Sequence, residues 1–253
     1  FAAFEVNANH VQMTYYYLFI ILFLVIGFLV DAIRQKRMAH FAKATAVCAL
    51  GAVLGIAANI SNLYHTWEYQ KETMRGKSEL VKENSANQTS TGTGLDRDYI
   101  TQWSYGISET WTLLVPNTKG GASSITMIDS PQAQEKADPM YAQVYQQMGQ
   151  YWGNQPGTSG PVYVGAFVLM LFVLGLFIVK GSIKWALLAA TILSILLSWG
   201  RNFMGLTDFF IDYVPMYAKF RTVASILVIA EFTIPLLAML ALKKYIEDPD
   251  CVR

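Results

Sequence analysis

The sequence predicts an all-α polytopic membrane protein: about five transmembrane helices, with a mainly helical and irregular extracytoplasmic domain between the second and third. Three observations lead there. Of 253 residues, 53% are hydrophobic and 15% charged, against about 25% charged in an ordinary soluble domain. Charge is nearly absent from five blocks, Met13–Val30, Ala44–Leu63, Pro161–Val179, Trp185–Gly200 and Thr222–Leu242, whose one charged residue is Glu231. At the chain's average rate they would hold roughly 14 charges. A bilayer core about 30 Å thick needs ~20 apolar residues as helix; four blocks reach that, and Trp185–Gly200 is slightly short. A chain of this size is too small to surround five helices that are apolar on every side.

The same numbers exclude other classes. A formal net charge of +1 without a basic stripe argues against a nucleic-acid partner. Two cysteines rule out a disulfide-stapled scaffold; Cys48 lies in an apolar block and Cys251 in a polar tail, so a bridge between them is not expected. The first apolar block is too long for a signal peptide and lacks a small-residue cleavage site. Phe1 is not an initiator, so the chain is read as an internal portion of a longer protein.

Residues 1–63 form the first unit, two spans joined by a basic loop from Asp31 to Arg37 that Lys43 closes. Lys180 and Lys184 follow the third span, and Lys243 and Lys244 end the fifth. Alternating spans put all of these on one side, which the positive-inside rule makes cytoplasmic. Residues 64–160 then form an extracytoplasmic domain. Its opening, Trp67 to Arg75, is helix-permissive and extends the second span. Asn84 to Gly94 is an Asn/Ser/Thr/Gly-rich loop, Ile100 to Leu114 is dense in aromatics, and Pro139 to Tyr151 is helix-like. Residues 161–253 carry the third to fifth spans and an outer loop, 201–221. Tyr15, Tyr16, Tyr17, Tyr163 and Trp199 mark the interfaces, as aromatic belts do.

Several enzyme signatures are absent. Gly76-Lys77-Ser78 ends like a phosphate-binding loop, but Lys71 occupies the position of the required glycine. His10, His40 and His65 have no metal-ligand spacing, so no metal site is assigned. Glu231, in the middle of the fifth block, is costly unless paired or protonated. Pro235 has no N–H to bond its carbonyl. Glu231 is therefore read either as a polar, proton-binding site within the bundle or as a structural acid.

The outer loop is the richest short segment. Arg201, Lys219 and Arg221 bracket Asp208 and Asp212 at headgroup depth, and arginine forks match phosphate oxygens. The patch is read as a lipid-phosphate site or as headgroup anchoring with Arg–Asp pairing inside the loop. Glu109, among Trp103, Tyr105 and Trp111, has a setting that suits a sugar ring or an ordinary packing helix. Gln12, outside the first span, either lines the same cavity or faces water.

Several of these stretches resemble the YfhO-like family of bacterial membrane proteins. They are Asn9 to Tyr16, Gln102-Trp103-Ser104-Tyr105-Gly106, Gly160 to Gly165 and Thr207 to Tyr213, with Lys219 to Thr222 and Ile229 to Pro235 adding to the match. The resemblance implies a polytopic GT-C type glycosyltransferase fold in the bacterial cytoplasmic membrane, its large loop extracytoplasmic. It implies a polyprenyl-phosphate-linked sugar as donor, an envelope polymer as acceptor, and spans of the same protein beyond this segment. The family's catalytic carboxylate would precede Phe1. Arg201, Lys219 and Arg221 would hold the carrier phosphate; Glu109, Gln12, Trp103 and Trp111 would contact sugar or acceptor, with Asp208 organising the loop. The expected function is transfer of that sugar on the outer face, with metal dependence open and surrounding membrane lipids as partners. The rivals are a lipid or envelope-polymer transporter using Glu231 and a non-catalytic scaffold subunit.

Overall fold

A short helix, α1 (Ala2–Asn7), precedes the first long one, α2 (Val11–Arg34). Between them Asn9 takes a φ of 58°, which Asn tolerates better than most residues. His10 Nδ1 then caps α2 by accepting the Met13 N–H at 3.4 Å. At the far end Lys36 has a φ of 56° and Arg37 N–H reaches the Ala32 carbonyl at 2.8 Å, the long bond of a Schellman turn. Arg34, Lys36 and Arg37 also suit the negative end of the helix dipole. The chain turns there into α3 (Met38–Ala57), breaks at Ala58–Asn59, and resumes as α4 (Ile60–Tyr69). The computed structural model describes residues 1–73, 95–126, 128–129 and 131–252. The Gly76-Lys77-Ser78 segment, Arg75 and the polar loop Asn84 to Gly94 lie outside them.

Beyond that gap come short helices, α5 (Arg97–Ile100), α6 (Pro131–Lys136) and α7 (Ala142–Gln147), with a 3-10 stretch at Ile107–Leu113. The bundle then continues with α8 (Ala166–Ile178), α9 (Ile183–Ser198), α10 (Met204–Tyr213), a 3-10 turn at Val223–Leu227, and α11 (Val228–Glu247). No strand forms among the described residues.

All five apolar blocks become helix, but not five full spans. Among the described residues three helical segments are long and apolar enough to cross a membrane: Val11–Arg34, Met38–Ala57 and Val223–Glu247. A fourth arises only if α9 and the following Gly200–Tyr213 count as one span, and they are bent by 109°. The third block is shorter still. Its helix has 13 residues, about 20 Å at 1.5 Å per residue, because residues 161–165 run without helix to Gly165, whose φ is 104°. Periodicity detects apolarity there but not this extended lead-in, which instead walls a cavity described below.

The core lies where α2, α8, α9 and α11 meet. Gly175 of α8 sits against Leu237 of α11, where a Cβ would come within 2.9 Å of Leu237 Cγ. Small residues let helices approach in this way when lipid supplies no hydrophobic drive between them. Ala186, Ala190, Ser194 and Ser198, four apart on α9, are all buried. The hydroxyls of Thr191 on α9 and Thr233 on α11 lie 2.7 Å apart, so one donates to the other, while the accepting hydroxyl gives its own proton to the carbonyl one turn back in its helix, Leu187 for Thr191 or Ile229 for Thr233. By contrast α3 is almost wholly exposed, with 6% of its apolar window buried.

The 201–221 loop is largely helical. α10 crosses the end of the bundle, its Phe210 ring 6.1 Å from Phe19 of α2 and 5.4 Å from Tyr217. Tyr15 donates to the Pro215 carbonyl at 2.8 Å. Phe209 and Tyr213 stay exposed on another face, the amphipathic pattern of a helix lying in a membrane interface. The stretch from Leu95 to Leu113 is built into the bundle. Ile100 is buried in one core cluster with Tyr16, Leu197 and Val223, and Tyr105 in another with Leu187 and Ile234.

Candidate functional site

The site is organised by a non-helical segment, Trp103–Tyr105, threaded between the end of α9 and the start of the last span. Tyr105 N–H donates to the Ser198 carbonyl at 2.8 Å and Ala224 N–H to the Trp103 carbonyl at 3.1 Å. Ser104 Oγ accepts the Arg201 N–H at 2.9 Å, and Asn202 Nδ2 donates to the Tyr105 carbonyl at 2.9 Å. Gly200 makes the crossing possible. Its φ is +44°, and a Cβ there would overlap Ser104 Oγ and lie 2.5 Å from Val223 Cγ2.

Beside this crossing is a cavity of about 290 Å³, walled by Trp103, Tyr105, Glu109, Lys119, Tyr151 and Ser225 among others. Glu109 is 1% exposed, and both carboxylate oxygens are engaged. Tyr151 Oη donates to Oε1 at 2.5 Å, while Gly106 N–H at 2.5 Å and Asn154 N–H at 3.3 Å donate to Oε2. Three donors satisfy a buried charge that would otherwise be costly. Burial, with the bond to Glu109 second, pushes the Tyr151 phenol well above its usual pKa, so it stays the donor. Burial likewise lifts the Tyr105 phenol to about 12 despite a bond to Thr112.

Two further predicted residues join the rim. Gln12 Nε2 lies 3.0 Å from Ser225 Oγ, 2.6 Å from the Arg221 carbonyl and 2.9 Å from Tyr16 Oη. Arg221 is exposed; its Nη1 donates to Tyr99 Oη at 2.8 Å, and its guanidinium carbon stands 6.0 Å from the Trp103 ring centroid. Thus Trp103 and Glu109 line the cavity, and Gln12 and Arg221, from two distant stretches, stand beside it against Ser225 and Trp103. Family models, curated proteins and solved structures were compared with the chain, and none matches.

The remaining predicted residues stand elsewhere. Arg201 Nη2 donates to the Asn154 carbonyl at 2.6 Å on the outside of the Glu109 network. Lys219 ends the 3-10 turn Tyr217–Lys219 and Trp111 is 63% exposed; neither lines the cavity. Asp208 and Asp212 are ion-paired with Arg97, the Asp212 contact at 2.6 Å. Their bonds and charges hold the Arg97 guanidinium even more firmly protonated than usual, Asp212 first. The loop's carboxylates are therefore matched by a cation from α5, not by a loop arginine. Glu231 lies on an exposed side of α11, not in the bundle interior. Among the described residues no group of three His, Cys, Asp or Glu side chains is placed to hold a metal ion.

Sequence reasoning passed over Arg97, Lys119, Tyr151 and Ser225. A signal existed for the first. Asp208 and Asp212 share one helix edge at i, i+4 spacing, where like charges repel, so a cation facing both favours that arrangement. Nothing local marks the other three, which reach the cavity from separate stretches: Lys119 from the loop after Leu113, Tyr151 from the segment before α8, and Ser225 from the 3-10 turn Val223–Leu227.

Proposed function

We propose that the protein is a membrane glycosyltransferase-like protein that binds a polyprenyl-phosphate-linked sugar at the outer rim of its bundle and passes the sugar to an envelope acceptor. The observation that carries this reading is a cavity lined by Trp103 and Glu109, with Gln12 bonded to its Ser225 and the Arg221 guanidinium beside its Trp103. Its volume is near the lower end of the roughly 300–1,000 Å³ of ligand pockets, a size that suits a single sugar ring. Aromatic faces from Trp103, Tyr105 and Tyr151 stack on a sugar's apolar side, while Ser225, Gln12 and Lys119 offer polar atoms. Glu109 is a positioning residue in this scheme: with both oxygens occupied it braces Tyr151 and the 106 and 154 backbone.

Arg221 takes the phosphate role. When the bond from anomeric carbon to phosphate oxygen breaks, the electron pair stays on the phosphate and its negative charge grows. A cation already at that place stabilises the change, the kind of contribution that usually dominates. Arg221 is preferred because its guanidinium stands beside the Trp103 ring that lines the cavity, whereas Arg201 is bonded to the Asn154 carbonyl outside the Glu109 network. The base that accepts the acceptor hydroxyl's proton is not assigned to a residue of this chain.

The test is Arg221→Ala and Arg221→Lys in the full-length protein, assayed with a polyprenyl-phosphate sugar. Loss of one such donor lowers turnover by about 10²–10³-fold; Arg201→Ala is expected to cost far less. Wild-type turnover with undiminished donor affinity in Arg221→Ala would sink the assignment. The transporter reading keeps one observation in its favour: Glu231 is exposed one turn before Pro235, with no hydrogen bond or ion pair among the described residues. If Glu231→Gln abolished lipid movement while donor binding persisted, that reading would replace the first.

A further inference from the structure

The opposite end of the bundle carries a second cavity, of about 420 Å³, between α2 and α9. Phe23, Ile26, Val30, Trp185 and Ala189 wall it, and Arg34 stands at its mouth. The two helices touch where Gly27 meets Ala186; a Cβ on Gly27 would lie 3.1 Å from the Ala186 Cβ. Larger side chains on either side of that contact leave a groove. From Phe23 to Arg34 is eleven residues, about 16 Å at 1.5 Å per residue. That length matches one leaflet of a hydrocarbon core about 30 Å thick.

The charge at the mouth is the informative part. The nearest acid on the same helix, Asp31, is already committed: Ser182 donates its N–H to one oxygen at 3.0 Å and its hydroxyl to the other at 2.7 Å. Arg34 makes no hydrogen bond or ion pair among the described residues. Lys184, which lies two residues after Ser182 on α9, donates to the Leu176 carbonyl at 2.7 Å and lies 5.5 Å from the Trp185 ring. Lys36 and Arg37 come closely after the arginine. A guanidinium whose neighbouring carboxylate, Asp31, is itself held by Ser182, a fork matched to phosphate oxygens, thus closes an apolar slot one leaflet deep.

We propose that this groove binds one anionic glycerophospholipid of the leaflet at the basic end, its phosphate on Arg34 and one acyl chain along Phe23, Ile26, Val30 and Trp185. The lipid, not free phosphate, is the occupant because five of the six named contacts are apolar. An anionic headgroup is favoured because it adds attraction to Lys36, Arg37 and Lys184, whereas a zwitterionic one carries its own cation. The site is independent of the rim cavity, and its readout is lipid retention instead of sugar transfer.

The experiment is native mass spectrometry of the full-length protein, stripped of lipid in mild detergent and then given phosphatidylglycerol or phosphatidylcholine. The wild type should retain one phosphatidylglycerol in preference to phosphatidylcholine, and inorganic phosphate should not displace it. Arg34→Gln, at an exposed helix end, should weaken retention about tenfold, as loss of one charge-assisted contact does. Ala189→Phe should block the slot with Arg34 intact, and Ala189→Ser, which leaves it open, should not. Equal retention of both lipids, an undiminished Arg34→Gln, or a wild type that retains no phosphatidylglycerol would overturn the proposal. The last result would assign the groove to another protein segment.

Discussion

Two glycines five residues apart should respond to alanine with opposite signs. At Gly200 the φ of +44° is a left-handed backbone, and a Cβ would overlap Ser104 Oγ and sit 2.5 Å from Val223 Cγ2. The left-handed conformation costs an L-residue roughly 1–2 kcal/mol, and forcing a methyl into a packed site typically adds about 1–3 kcal/mol. The displaced Ser104 hydroxyl is fully buried and accepts the Arg201 N–H, so its bond is lost too. Gly200→Ala should therefore destabilise by about 2–5 kcal/mol. Gly205, inside α10, has no neighbouring atom within 4 Å of where a Cβ would stand, and no positive φ. There alanine should stabilise, by up to about 1 kcal/mol, since glycine is the poorer helix former. Reversible unfolding by dodecyl sulfate in mixed micelles, followed by tryptophan fluorescence, measures both. The two variants shifting in the same direction, or Gly200→Ala unfolding like the wild type, would refute the crossing at Ser104 and with it the cavity wall.

Three further outcomes follow from particular contacts. A double-mutant cycle between Arg97 and Asp212 should give a coupling of about 0.5–1 kcal/mol, discounted because both side chains are over a third exposed or close to it; strictly additive effects would remove the clamp between α5 and α10. Thr191→Val and Thr233→Val should each cost about 0.5–1.5 kcal/mol in the same assay but less than the sum together, because the pair shares one hydroxyl contact; independent effects would place the hydroxyls apart. Burial raises the Tyr105 phenol to about 12 from an ordinary 10, so the folded state holds this proton longer than the unfolded one. The stability from Tyr105 is complete below pH 10 and is lost as pH rises through about 12. Tyr105→Phe should remove a tyrosinate absorbance step near that upper pH, and a step already complete at pH 10 would contradict the burial.

Much of the architecture was legible without coordinates, because exclusion of charge over 16 to 21 residues has one common cause, a helix surrounded by apolar matter. All five blocks are helical in part for that reason. Their lengths were not legible. Gly165 and Gly200 stop or turn helices through backbone angles and near contacts, and hydropathy does not register either. The site divides along the same line. Trp103, Glu109, Gln12 and Arg221 stood out as residue types unusual for their surroundings, yet the sequence could not tell that the first two wall one cavity, that the other two stand beside it, and that Trp111 faces outward. It could not find Tyr151 or Ser225, ordinary residues whose role exists only through position.

Composition alone thus determined the kind of helix: a chain this apolar, with all its charges but Glu231 outside the five blocks, forms helices compatible with a membrane. The basic residues gathered at one end of those helices were equally plain, since consecutive spans alternate direction. Only the tertiary structure decided which cation meets which anion. Asp208 and Asp212 were matched by Arg97, more than a hundred residues away, and Asp31 by Ser182, leaving Arg221 and Arg34 outside the ion pairs of the described residues. Electrostatic pairing depends on distances of a few ångströms, and those are set by packing between segments that sequence order keeps apart.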